Sequence, residues 1–181
     1  RLIRAKQAVR SLLGRLQEDR IGLVVFAGIA YLQCPMTSDY SAVQLFLDGV
    51  DTETISTQGT AIGEALYLSM KSFNDKQESQ KVIILLTDGE DHQGDPVEAA
   101  EEAAGLGIRI YPIGIGTTFG EPIPLRKSEG TTSEVKRDGS GSVVMSRLDE
   151  LTLGKIADRT SGAYYRSTLA EDEIEQIYSE I

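Results

Sequence analysis

The residues with the best claim to chemistry are a hydroxyl and a carboxylate, each placed where one structural element hands over to the next. Asp88 follows Ile83-Ile84-Leu85-Leu86-Thr87, an apolar run that reads as a buried strand delivering the carboxylate to its end. Gly89 lets the chain turn at once and lets a ligand approach the backbone. Thr60 follows Gly59 at the mouth of an amphipathic segment. Taken singly, the first is equally a turn or cap residue and the second a helix N-cap. The ordered set is more specific: Gln58-Gly59-Thr60, a helix, a strand, then Thr87-Asp88-Gly89. One carboxylate and one hydroxyl are hard oxygen donors, a partial set for the octahedral shell of Mg2+.

Other reactive side chains are weaker candidates. His92, the sole histidine, stands in a polar loop beside Glu90 and Asp91 and lacks the partners that catalysis or metal binding needs. Glu90 and Asp91 add negative potential to that loop. Cys34 lies among apolar neighbours and reads as a buried small hydrophobe, and a single cysteine excludes an internal disulfide and a thiolate zinc cluster. The sequence holds no Ser/His/Asp or Cys/His set and no phosphate-binding Gly-Lys-Ser/Thr loop.

Strands and helices alternate around these positions. Leu2, Ala5, Val9, Leu12, Leu13 and Leu16 form the stripe of a first helix, with Arg1, Arg4, Lys6, Arg10 and Arg15 facing solvent. Ile21 to Ala27 is a strand buried on both faces. Ala30 to Cys34 follows through so short a turn that it is antiparallel, and Pro35 ends it. Asp39 caps a helix, and another runs from Ala61 to Phe73. Asp95, Pro96 and Glu98 open a helix after the second buried strand. Ile108 to Gly116 is a strand. Thr117 to Met145 reads as a hairpin insertion turning at Asp138-Gly139. Ser146 with Asp149 caps the next helix, Tyr164-Tyr165 lies on a last strand, and Thr168 with Glu171 boxes the final helix. The expected architecture is α/β: a doubly wound, mostly parallel sheet flanked by helices, with one antiparallel edge strand. Residues 1–181 read as a single domain. Loops leaving the carboxyl ends of the strands form the binding crevice in such sheets, which is where Thr60 and Asp88 belong.

With 40% hydrophobic and 25% charged residues the chain has the balance of a folded protein, and its formal net charge of −10 argues against nucleic acid. No apolar run reaches bilayer length.

The segments RLIRAKQAVRSLLGRL, DRIGLVVFAGIAYLQCPMTSDY, TQGTAIGEAL, VIILLTDGEDH, IYPIGIGT and VVMSRLDELTLGKIADRTSGAYYR resemble a von Willebrand factor A domain. More narrowly, they are similar to the Bat-type (aerotolerance-associated) bacterial branch. The resemblance implies a metal-ion-dependent adhesion site in which Thr60 and Asp88 are ligands of Mg2+, with Mn2+ or Ca2+ as alternatives. It implies a protein ligand that completes the shell with its own carboxylate. It also implies a role in assembling or remodelling protein complexes, with an AAA-type ATPase system as partner, and a soluble domain of a bacterial inner-membrane protein. The family's Asp-x-Ser-x-Ser element, borne on a first central strand, would precede Arg1. The look-alike Asp138-Gly139-Ser140-Gly141-Ser142 falls in the expected hairpin turn and reads as turn chemistry. Either the sequence begins after that element or the protein never had it; the first is expected, with the domain and its metal site N-terminally incomplete, so that these residues bind Mg2+ weakly or borrow a strand from a neighbour. Two other readings stand beside the binding module: a Mg2+-dependent phosphohydrolase, and a structural domain whose metal site has decayed. The insertion is either a partner contact or a surface excursion.

Overall fold

The computed structural model describes residues 1–52, 54–55, 57, 59–73, 79–91, 93–125, 134–137, 139–168 and 172–181. Among these, the order is helix α1 (Leu2–Leu13), strands β1 (Ile21–Phe26) and β2 (Ala30–Thr37), helices α2 (Tyr40–Asp48) and α3 (Ile62–Ser72), and strand β3 (Val82–Thr87). Then come helix α4 (Pro96–Gly105), strand β4 (Arg109–Gly114) and the two-residue strands β5 (Glu121–Pro122), β6 (Pro124–Leu125), β7 (Glu134–Val135) and β8 (Met145–Ser146). Helix α5 (Glu150–Arg159), strand β9 (Tyr165–Arg166) and helix α6 (Asp172–Glu180) complete the order.

Helical crossovers make the main sheet parallel. β3 pairs with β4 from Val82↔Arg109 to Thr87↔Gly114, and β4 pairs with β9 at Ile113↔Tyr165. The two faces of β3 feed two cores. Ile83 and Leu85 pack with Leu66, Ala99, Ala103, Leu153 and Ile156, under α3, α4 and α5. Val82, Ile84 and Leu86 lie against Ala8, Leu12, Ile174 and Ile177, under α1 and α6. Tyr164 and Tyr165 divide the same way, one ring to each core. Burial pushes both tyrosines up, Tyr165 to about 12, and their hydroxyls donate to Glu150 and Glu180 at 2.9 and 2.7 Å.

Helix starts follow the local code. Asp39 accepts from Ala42 N–H, and Asp95 accepts from Val97 and Glu98 N–H with Pro96 at the first position. Two details differ from expectation. Pro35 does not end β2 but lies inside it, between Cys34, which opposes Leu23, and Thr37, which opposes Ile21. Gly22 of β1 thus faces both Pro35 and Met36 of β2, a bulge that frees Pro35 from donating. Thr168 is tied to Glu173, through its N–H at 3.3 Å and its hydroxyl at 3.1 Å; Glu171 lies outside the described residues.

The third difference matters most for function. β1 was expected to be buried on both faces, yet every one of its residues is only half-buried, and so are Val82, Ile84 and Leu86 of β3. β1 pairs antiparallel with β2 alone, and among the described residues no strand pairs with the second edge of β1 or of β3. A cavity of about 1180 Å³ lies between them, walled by residues such as Val25, Phe26, Ile84 and Leu86 and floored by Leu12 of α1 and Ile174 of α6. Among the described residues the sheet is therefore in two pieces, each with an inner edge that no strand pairs. In a strand, successive N–H groups point to opposite sides. Hydrogen exchange measured by NMR should therefore show alternating protection along Val82–Thr87, slow toward β4 and fast toward the cavity. Uniform protection would contradict an open edge and point to coverage by another chain.

Candidate metal site at the strand ends

Asp88 leaves β3 on a backbone held from three directions. The Thr87 carbonyl accepts from Ile115 N–H and the Asp88 carbonyl from Asp149 N–H, each at 2.8 Å, while Gly89 N–H donates to the Thr87 hydroxyl at 3.2 Å. Gly89 adopts φ +79, and a Cβ there would lie 2.7 Å from the Asp149 carbonyl oxygen and 2.9 Å from Leu153 Cγ. Only glycine lets the start of α5 press so closely on this loop.

The carboxylate itself is partnered. Oδ2 of Asp88 accepts from Nη1 of Arg1 and from the Ser146 hydroxyl, both at 2.8 Å. Arg1 also donates to the Ser146 hydroxyl and to its carbonyl, and its Nη2 is 3.9 Å from Glu121. Arg1 was expected on the solvent side of α1; the carboxylate draws its guanidinium to the rim instead. Ser146 was expected to cap α5. Asp149 does so alone, accepting from Thr152 N–H at 3.1 Å, and Ser146 is buried in β8 facing Asp88.

Thr60 sits just before α3 and is half-buried. Its loop is stitched to the β1–β2 turn, with Ala61 N–H on the Ala27 carbonyl at 2.8 Å and Gly28 N–H on the Thr57 carbonyl at 3.0 Å. Thr60 does not cap the helix. The N-cap is Ala61, and the side-chain acceptor is Asp91, whose Oδ1 takes Ile62 N–H at 3.1 Å. The loop after β3 thus reaches across to the loop before α3, and Thr60 and Asp88 both line the cavity between the sheet halves. Oδ2 of Asp91 is buried without a hydrogen-bond partner, so this loop holds unspent acceptor capacity. Its negative charge was legible in the sequence; its capping role was not.

The remaining candidates lie elsewhere. His92 and Asp138 fall outside the described residues. Gly139 and Ser140 form an exposed turn next to the Arg137↔Val143 bridge, with the Ser140 and Ser142 hydroxyls 3.2 Å apart. Cys34 is buried, and burial, with Asp39 nearby, pushes its thiol up, which suppresses the reactive thiolate.

The side chains on the cavity that could offer oxygen to a cation here are those of Thr60 and Asp88, and oxygen donors suit a hard divalent ion. Among the described residues, no three His, Cys, Asp or Glu side chains gather into a metal-holding group.

Comparison with known proteins places the chain in a family. A family model of the von Willebrand factor type A domain matches residues 1–179, and the chain belongs to that family. It is similar to the Bacteroides thetaiotaomicron protein BatB, with 42% identity and TM-score 0.90 over 99% of this chain and 87% of that one. It is also similar to an aerotolerance-related membrane protein from Bacteroides fragilis, carrying multiple mutations to serines, with 35% identity and TM-score 0.91 over 100% and 89%. These neighbours place the chain in the Bat-type branch. The mussel byssus proximal thread matrix protein 1, described with a zinc-occupied metal-ion-dependent adhesion motif, shares the fold at 20% identity and TM-score 0.67, over 98% of this chain and 39% of that one. The chain spans about half the length of the curated relatives it matches, 47% and 52%.

The close approach at Gly89 is testable. Gly89→Ala forces an L side chain into both a left-handed φ and the Asp149 carbonyl, a cost of about 1–3 kcal/mol read as a lower urea midpoint. Gly94→Ala, at φ +101 with open space around its Cβ, should cost less. Equal losses would mean that packing of α5 on the loop contributes nothing.

Proposed function

We propose that this chain is a metal-dependent protein-binding module rather than an enzyme, with Thr60 and Asp88 as its own ligands to Mg2+, or to Mn2+ or Ca2+. The observation that carries the reading is that Asp91, in the loop after β3, bonds the start of the helix that Thr60 precedes, while Thr60 and Asp88 both line one cavity. The Thr60 hydroxyl and the Asp88 carboxylate would hold the ion, and the ion would supply positive charge to bind a carboxylate from a protein ligand. Such a ligand approaches a chain of net charge −10 that would otherwise repel it. Residues 1–181 form one domain in this reading. In this reading the module serves the assembly or remodelling of protein complexes, with an AAA-type ATPase as working partner. A solved neighbour described as a membrane protein supports a place as the soluble domain of a bacterial inner-membrane protein, and no helix among the described residues is long and apolar enough to span a bilayer.

One observation favours a second reading, a structural domain whose metal function is lost. The guanidinium of Arg1 already neutralises Asp88. The two readings differ in calorimetry. On the first, Mg2+ binds weakly, Asp88→Ala abolishes binding, Thr60→Ala weakens it, and Arg1→Ala tightens it by removing a competing cation. On the second, no variant and no wild-type sample takes up Mg2+. A phosphoester turnover assay with Mg2+ should give no activity above background; turnover lost in Asp88→Ala would replace both readings with a phosphohydrolase.

A further inference from the structure

We propose that Ser146 is the positioning residue of the rim carboxylate, and that through it the hairpin between β4 and α5 is coupled to the cation that Asp88 holds. The second half rests on the functional reading above; the first half does not. Ser146 is 5% exposed, and a buried hydroxyl needs a partner. It gives its single hydrogen to Oδ2 of Asp88 and accepts from Arg1 on a lone pair. One carboxylate oxygen is thereby fixed in direction, which orients the other.

Ser146 also belongs to the hairpin. It ends β8, where it opposes Glu121 of β5. The stem behind it is continuous: Ile123 N–H donates to Val144, Val144 N–H to Lys136, and Lys136 N–H to Ile123. At the other end, Leu148 N–H donates to the Thr117 carbonyl at 2.9 Å and Asp149 N–H to the Asp88 carbonyl at 2.8 Å. β8, its partner β5 and both the side chain and the main chain of Asp88 are therefore joined through the short segment from Ser146 to Asp149. A displacement of the stem must pull on the carboxylate. By linkage, an ion that fixes the carboxylate must stiffen the stem by the same free energy.

The experiment is a double-mutant cycle in wild type, Ser146→Ala, Asp88→Ala and the double variant, read by amide hydrogen exchange at Gly89, Val144 and Asp149, without and with MgCl2, and by Mg2+ calorimetry. Loss of a hydroxyl donor to a charged acceptor should speed exchange at Gly89 and Asp149 about tenfold in the metal-free Asp88 background. The same change in the Asp88→Ala background should have little effect. Equal acceleration in both backgrounds, or none, overturns the positioning role, because Ser146 would then act only by packing. Mg2+ should slow exchange at Val144 in wild type and not in Ser146→Ala, and should bind the variant about tenfold more weakly. Equal Mg2+ affinity and equal slowing in the two overturn the coupling to the cation. Mg2+ uptake by neither wild type nor variant, with the exchange cycle intact, sinks the metal reading and the coupling while leaving the Ser146–Asp88 joint standing.

Discussion

The bond from Asp149 N–H to the Asp88 carbonyl, 2.8 Å long, is the constraint on which the rim depends. It fastens the end of a buried strand to the start of a helix whose own first turn is capped by the Asp149 side chain. One residue thus spends its N–H on the site and its carboxylate on the helix. The glycine at 89 makes the approach possible, and the Thr87 hydroxyl closes the turn from inside. A carboxylate on a loose loop would lose orientation to thermal motion; the backbone of this one is anchored by the fold itself.

The second loop is held by the same economy. Asp91 leaves the Asp88 loop, satisfies the N-terminus of α3, and so fixes Thr60 two residues earlier. The orphan N–H groups of a helix start are positive, and a carboxylate placed there contributes electrostatically as well as by hydrogen bonding. The protein therefore uses an acidic side chain as a strut between the loop after β3 and the start of α3. Arg1 balances part of that charge by pairing with Asp88.

Much of the fold was legible because it is local. The run Ile83 to Thr87 carries its own strand signal, and Asp39, Asp95 and Pro96 carry their own helix starts. Thr60 and Asp88 could be singled out because each lies at an element boundary. What sequence reading missed is non-local. Ser146 looked like a cap because Asp149 stands three residues on, yet its partner is 58 residues away; Arg1 reaches 87 residues and Asp91 reaches 29. Pro35 was misjudged for a related reason, since a bulge against β1 depends on register and not on composition. The half-burial of β1 follows from what flanks it in space, which its apolar run does not encode.

The account turns on one spatial claim, that the hydroxyl before α3 and the carboxylate after β3 serve a common ion. Anomalous diffraction from crystals soaked in MnCl2 addresses it without relying on activity or on a partner. The account predicts a single strong peak at the cavity mouth within ligand distance of both Thr60 Oγ1 and Asp88, with the Arg1 guanidinium moved aside. A peak on Asp88 that leaves Thr60 out of reach, or manganese bound only elsewhere on the acidic surface, would contradict it.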